Sequence, residues 1–224
     1  MRLHHAPVLL IVHKLYYIHD PMCSWCYAFD SSLTALQKKL PDFISIKKIA
    51  GGLAPDTTNP MSVELQQKIQ QTWRRIEQTV PNIQFNNEFW IINTPVRSTY
   101  PACRAVLAAR QQGADFEDKM IGAIQTAYYQ MAKNPSLQST LLECALDVGL
   151  DADRFTNDIT SDEIEEELQN EIRIARKLGV ITYPSLLLEH NGRLFPVDVD
   201  YIDHETMIRE IVSILDKPSG VSYL

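Results

Sequence analysis

The chain has 224 residues, a hydrophobic share of 45% and a charged share of 22%, a composition that excludes disorder, fibres and small disulfide scaffolds. Its formal net charge of −7, from 28 acidic against 21 basic residues, leaves no electrostatic footprint for nucleic acid or an anionic membrane surface. The length predicts one large domain or one domain carrying an insertion.

The apolar run from Pro7 to Val12 is far short of the roughly 20 residues of a membrane span, and no small-residue cleavage pattern follows Arg2 as in a secretory signal. Residues 1–14 are expected to be a tail, and the protein cytoplasmic. Leu15 to His19 reads as a short buried strand running into Asp20, Pro21 and Met22. Cys26 to Leu40 reads as a helix ended by Pro41, and Phe43 to Ala50 as a strand closed by Gly51 and Gly52. The opening is thus a β-α-β unit.

The period then changes. Leu65, Ile69, Trp73, Ile76 and Val80 form one apolar stripe at helical spacing. Tyr100 to Gln112 is Ala-rich and closed by Gly113; Phe116, Met120, Ile121, Ile124 and Tyr128 make a further stripe; Leu137 to Val148 ends at Gly149. Thr160 and Glu163 stand at capping-box spacing, ahead of Ile164, Leu168, Ile172, Ala175 and Leu178 on one helical face. The acidic residues from Asp162 to Glu167 fall in that helix's first turns, where the dipole favours negative charge, so they read as a solvated face and not as a metal site. Ser185 to His190, an Asn191-Gly192 turn and Arg193 to Val199 predict a hairpin. A closing helix from Asp203 is expected to turn Ile208, Ile211, Val212 and Leu215 inward before Pro218.

Two of the four cysteines, Cys23 and Cys26, stand in one Cys-Ser-Trp-Cys cluster at the strand-to-helix joint. A pair at that spacing can bridge, and a cysteine at a helix start faces orphan N–H groups and the positive end of the dipole. Both favour the thiolate, which is the reacting form. Cys23 is therefore the expected nucleophile, and Cys26, one turn deeper, the resolving thiol. A zinc site would need about four N or S ligands, and no second pair accompanies the first. Cys103 and Cys144 are lone residues on predicted helices, and His4, His5, His13, His19, His190 and His204 are scattered. No metal is expected, and Cys103 and Cys144 read as small buried hydrophobes.

Three stretches then resemble the thioredoxin superfamily, and within it the DsbA-like branch of predicted, FrnE-related protein-disulfide isomerases. They are the run Asp20-Pro21-Met22-Cys23-Ser24-Trp25-Cys26-Tyr27 on to Phe29, the loop from Gly51 to Pro55, and the run from Gly179 to Ser185. The resemblance implies an α/β thioredoxin fold with a large all-helical insertion. The discontinuous thioredoxin domain would be built from 15–55 and 165–217, with residues 56–164 as the insertion. It implies that Pro184, preceded by Tyr183, is the superfamily's cis proline beside the cysteines, so that both are substrate-binding, with Ser24 and Trp25 supporting. The implied activity is thiol-disulfide exchange on protein or small-molecule thiols and disulfides, with no cofactor beyond the dithiol and with glutathione as a candidate co-substrate. The intervening Ser24 and Trp25 replace the Pro-His of DsbA and the Gly-Pro of thioredoxin, so neither potential carries over, and a milder oxidant than DsbA is expected. Glutathione-dependent transferases of the kappa class and hydroxychromene-carboxylate isomerases share the inserted architecture and are the alternative; they generally keep serine at the position of Cys23. A thiol-based redox sensor without turnover is a third possibility.

Overall fold

The computed structural model describes residues 13–217. Residues 1–12, most of the expected tail, and the Pro218 stop lie outside them. The strand β1 (His13–His19) already includes His13 and Lys14, two residues ahead of its expected start. It leads into α1 (Ser24–Lys39) and β2 (Ile44–Ala50). The helical stretch follows as α2 (Val63–Thr79), α3 (Phe89–Ile92), α4 (Tyr100–Gln112), α5 (Ala114–Tyr129), α6 (Gln138–Asp147) and α7 (Ala152–Asp158). After it come α8 (Asp162–Lys177), β3 (Ser185–His190), β4 (Arg193–Val197) and α9 (His204–Leu215).

The sheet order is β2-β1-β3-β4. β1 runs parallel to β2 through the α1 crossover and antiparallel to β3. The β3–β4 hairpin turns on Asn191 and Gly192, both at positive φ, the geometry that a two-residue hairpin demands. Pro196 is tolerated because β4 is an edge strand.

Alternation along β1 divides two layers. Leu15 and Tyr17 pack toward α1 and α9 against Phe29, Leu33, Leu36, Met207, Ile211 and Ile214, while Ile18 packs with Ile49 and Ala175 under α8. The helical stretch has its own core, centred on Trp73, Phe85, Phe89, Tyr128 and Tyr129. Glu171 of α8 fastens it to the sheet. One carboxylate oxygen accepts the Ala50 N–H at 2.6 Å and the other accepts from the Arg110 guanidinium of α4 at 2.7 Å.

Two expectations need correction. The N-cap of α8 is Ser161, whose hydroxyl accepts the Ile164 N–H at 3.2 Å while donating to the Asp158 carbonyl of α7; the Thr160 hydroxyl donates to the Thr156 and Asn157 carbonyls. In α9 Met207, Ile211 and Ile214 are buried, and Ile208 and Leu215 pack half-buried against the same core as expected, whereas Val212 is 44% exposed.

Register places the functional loops. His19 pairs with Ala50 and Ile18 with Ser185. The segment after β1, the Gly51-Gly52 loop and the approach to β3 therefore meet at one end of the central strand.

Candidate functional site

Cys23 is the N-cap of α1, with an extended backbone at φ −83° and ψ 118°, so the helix begins at Ser24 and not at Cys26. An N-cap side chain ordinarily accepts from the second and third helical N–H groups. No formal cap bond is made here, yet the N–H groups of Trp25 and Cys26 face the Cys23 sulfur. Together with a hydrogen bond from the Cys26 thiol, the leading influence, they hold the Cys23 thiol below its ordinary range, against burial and the Asp20 charge. Burial, followed by that same bond to Cys23, pushes Cys26 far up. The two sulfurs are thus adjacent and unequal, the first shifted down and the second up. Both are unbridged and buried, Cys23 with 8% of its surface exposed and Cys26 with none.

Across from the pair, the Tyr183–Pro184 peptide is cis, and the Tyr183 carbonyl accepts from the Cys23 thiol at 3.5 Å. The Tyr183 ring turns away from the sulfurs. Its hydroxyl donates to the Gly51 carbonyl at 2.7 Å, and a Cβ on Gly51 would sit inside the ring. Gly52, at φ +63°, gives the same room to Ile172 and Tyr100. A groove of about 360 Å³ runs beside the proline, lined by Ile181, Thr182, Pro184, Ser185, Pro196 and Val199 among others. A second cleft of about 430 Å³, between α4, α6 and the start of α8, includes none of the cysteine-loop residues. The structure thus brings Cys23, Cys26, Tyr183, Pro184, Ser24 and Trp25 to one place.

Several neighbours were not legible in the sequence as site residues. Asp20 is fully buried, and its carboxylate accepts from the Met22 N–H at 2.8 Å, the Leu53 N–H at 2.7 Å, the Thr99 hydroxyl at 2.6 Å and the Cys103 thiol at 3.5 Å. Burial raises its pKa and these donors work against that rise. Cys103 is buried as expected, but its thiol is a partner of this carboxylate. Burial and then the Asp20 charge hold it protonated, as burial does for Cys144, lifted to about 11. Tyr17 from β1, Tyr129 from α5 and Tyr201 from the β4–α9 loop are each raised first by burial, with the cysteine pair's charge adding to the rise. The only sequence signal for Asp20 was its place three residues ahead of Cys23. For the tyrosines there was none. Among the described residues no group of three or more His, Cys, Asp or Glu is placed to hold a metal ion, and no helix is long and apolar enough to cross a membrane.

Residues 16–195 match the family described as Thioredoxin. A structure of a candidate protein disulfide isomerase from Nitrosomonas europaea superposes with a TM-score of 0.81 at 25% identity, covering 91% of this chain and 97% of that one. The cytosolic disulfide reductase DsbM from Pseudomonas aeruginosa, also solved with GSH, gives a TM-score of 0.71 at 24% identity over 90% of this chain and 98% of its own. Among curated proteins, the ClpXP adapter protein SpxH of Bacillus subtilis (strain 168) is 24% identical over 211 residues, which are 92% of this chain and 70% of that protein. SpxH of Halalkalibacterium halodurans is 22% identical, and the match spans 58% of its length. The chain belongs to the thioredoxin family, with the DsbA-like fold in which a helical insertion interrupts the α/β domain.

Proposed function

We propose that this protein is a thiol-disulfide oxidoreductase in which Cys23 is the nucleophile and Cys26 the resolving thiol. The observation that carries the reading is the asymmetry of the pair: Cys23 is held low at a helix start, Cys26 is held high behind it, and the Tyr183 carbonyl faces the first sulfur. The Cys23 thiolate attacks one sulfur of a substrate disulfide, forming a mixed disulfide and expelling the other half as a thiolate that takes a proton from solvent. Cys26 loses its proton and attacks the Cys23 sulfur, releasing the second substrate thiolate and leaving the protein pair as a disulfide. Two electrons have then passed to the substrate. Two equivalents of a low-molecular-weight thiol, glutathione in this reading, return the pair to the dithiol; the GSH in the DsbM structure supports that choice. In the reducing poise of a cytoplasm the reductive direction is favoured, and the cytosolic description of DsbM supports that compartment.

Pro184 lacks an N–H, and the backbone beside it borders the open groove, which suits an extended peptide or thiol substrate aligned by Tyr183 and Pro184. Ser24 and Trp25 supply the helix turn on which the thiolate rests. Turnover of insulin disulfides by wild type, Cys23→Ser and Cys26→Ser tests the assignment. Loss of turnover in the first variant and a trapped mixed disulfide in the second are expected. Equal turnover by Cys23→Ser would remove the nucleophile.

A second reading, as a ClpXP adapter, is favoured by the name of the relatives from Bacillus subtilis and Halalkalibacterium halodurans. Its mark is binding to ClpXP that persists when both Cys23 and Cys26 are replaced by serine.

A further inference from the structure

We propose that Arg75 makes the cysteine site selective for thiols and disulfides that carry a carboxylate close to the sulfur. The proposal rests on the oxidoreductase reading and names its substrate class. Trp25, between the two cysteines, is half-buried with its ring tilted against Tyr201, the centroids 5.0 Å apart. Tyr201 also meets Phe29 edge-on at 5.8 Å, and its loop is tied to α1 by the Ser32 hydroxyl donating to the Asp200 carbonyl at 2.6 Å. The indole is therefore buttressed by Tyr201. Over it lies the guanidinium of Arg75, reaching from α2 to 5.9 Å from the ring centroid.

Arg75 is exposed and, among the described residues, has no ion-pair partner; Arg74, Arg97, Arg173, Arg176 and Arg193 share that, but of the described arginines Arg75 is the one that lies over an aromatic ring. Glu77 of α2 and two acids in the loop that carries Tyr201 are engaged elsewhere. Asp200 accepts the N–H groups of Ile202 and Asp203, Asp203 caps α9 and holds Arg209, and Glu77 accepts the Phe85 N–H at 2.9 Å. In a chain of net charge −7, an unpaired cation stands above the residue that separates the reactive thiols. A guanidinium held near an aromatic ring by that attraction still has N–H groups to offer, and their fork matches a carboxylate in two-point geometry. Oxidised glutathione offers such carboxylates, and so does a peptide disulfide with an acidic residue beside its cysteine.

The test reacts the reduced full-length protein with oxidised glutathione, an acidic-residue peptide disulfide, neutral hydroxyethyl disulfide and cationic cystamine, in wild type, Arg75→Gln and Arg75→Lys. Wild type is expected to react faster with the anionic disulfides than with cystamine. Arg75→Gln should lower the anionic-to-neutral rate ratio by roughly threefold to fivefold, the scale of one exposed charge pair, and leave the hydroxyethyl disulfide rate within about twofold. Arg75→Lys should restore part of the ratio, and added salt should erode it in wild type more than in Arg75→Gln. The two anionic probes separate glutathione from acidic peptides as the source of the carboxylate. An unchanged ratio in Arg75→Gln overturns the proposal. If wild-type Cys23 reacts with none of the four disulfides, the oxidoreductase reading fails instead.

Discussion

His19 couples acid to the stability of the site. It ends β1, is 2% exposed, stacks on Tyr17 with centroids 5.0 Å apart and planes 12° apart, and has an Nδ1 without a hydrogen-bond partner. Burial first, then the charges of Lys48 and Arg110, push its pKa from 6.5 down to about 3. The folded protein therefore keeps this imidazole neutral where the unfolded chain takes up a proton. Its contribution to stability is complete above pH 6.5 and is lost progressively as pH falls toward 3. At 1.36 kcal/mol per unit, acidification from about pH 7 to about pH 5 costs about 2 kcal/mol through this residue alone. Asp20, whose carboxyl is raised by burial, acts in the opposite sense, so the informative quantity is a difference. Urea unfolding of wild type and His19→Phe across that range should give stability curves that converge by about 2 kcal/mol on acidification, because phenylalanine retains the stack on Tyr17 and removes the titration. Curves that stay parallel would refute the argument.

Replacing Cys26 by alanine removes the thiol that hydrogen-bonds the Cys23 sulfur; the pH midpoint of Cys23 alkylation should move upward, and a fixed midpoint would count against that bond as the main influence. Gly51→Ala places a methyl inside the Tyr183 ring and should cost about 1–3 kcal/mol in chemical denaturation, the usual scale of overpacking. Trp73→Ala empties the centre of the insertion's core, where the indole packs on Phe85 and Tyr129, and should cost about 3–5 kcal/mol by the same measurement. With Ser24 and Trp25 between the cysteines, neither carrying charge, equilibration against glutathione should return a potential more reducing than the roughly −120 mV of DsbA.

The patterns that survived intact were local. Asn191-Gly192 demanded its turn, and the Leu65 to Val80 stripe demanded a helix. What failed or stayed hidden depended on which elements dock together. Ile208, Ile211, Val212 and Leu215 have proper helical spacing, yet docking buries Met207 and Ile214 beside Ile211 and leaves Val212 exposed, a choice made by the partner surfaces and not by the helix. Thr160 and Ser161 are adjacent hydroxyls that both donate to carbonyls of α7, and only the course of the chain into α8 decides which also accepts as its cap. Asp20 meets Thr99 and Cys103 across 79 and 83 positions of chain, a juxtaposition that no window of sequence contains. For the same reason Cys103 read as a plain hydrophobe. The side chains around the reactive pair come from β1, α2, α5 and the loop before α9, so the chemistry of the site is assembled by the packing of the insertion against the sheet.

The antiparallel pairing of β1 with β3 has a kinetic consequence. Cys23 and the Tyr183 carbonyl that it faces are 160 positions apart, so the site closes a very long loop. Chain entropy makes the length itself cheap, since each doubling of a loop adds only about 0.6 kcal/mol. Closure of distant contacts is nevertheless slow. The β1-α1-β2 unit and the β3–β4 hairpin each pair near neighbours, whereas the second partner of the central strand is reached only across the helices between them. In the native state the insertion spans that separation, and Glu171 ties α8 to the end of β2. A lesion deep in that helical core, far from either sulfur, would delay assembly of the redox centre before it altered the chemistry there.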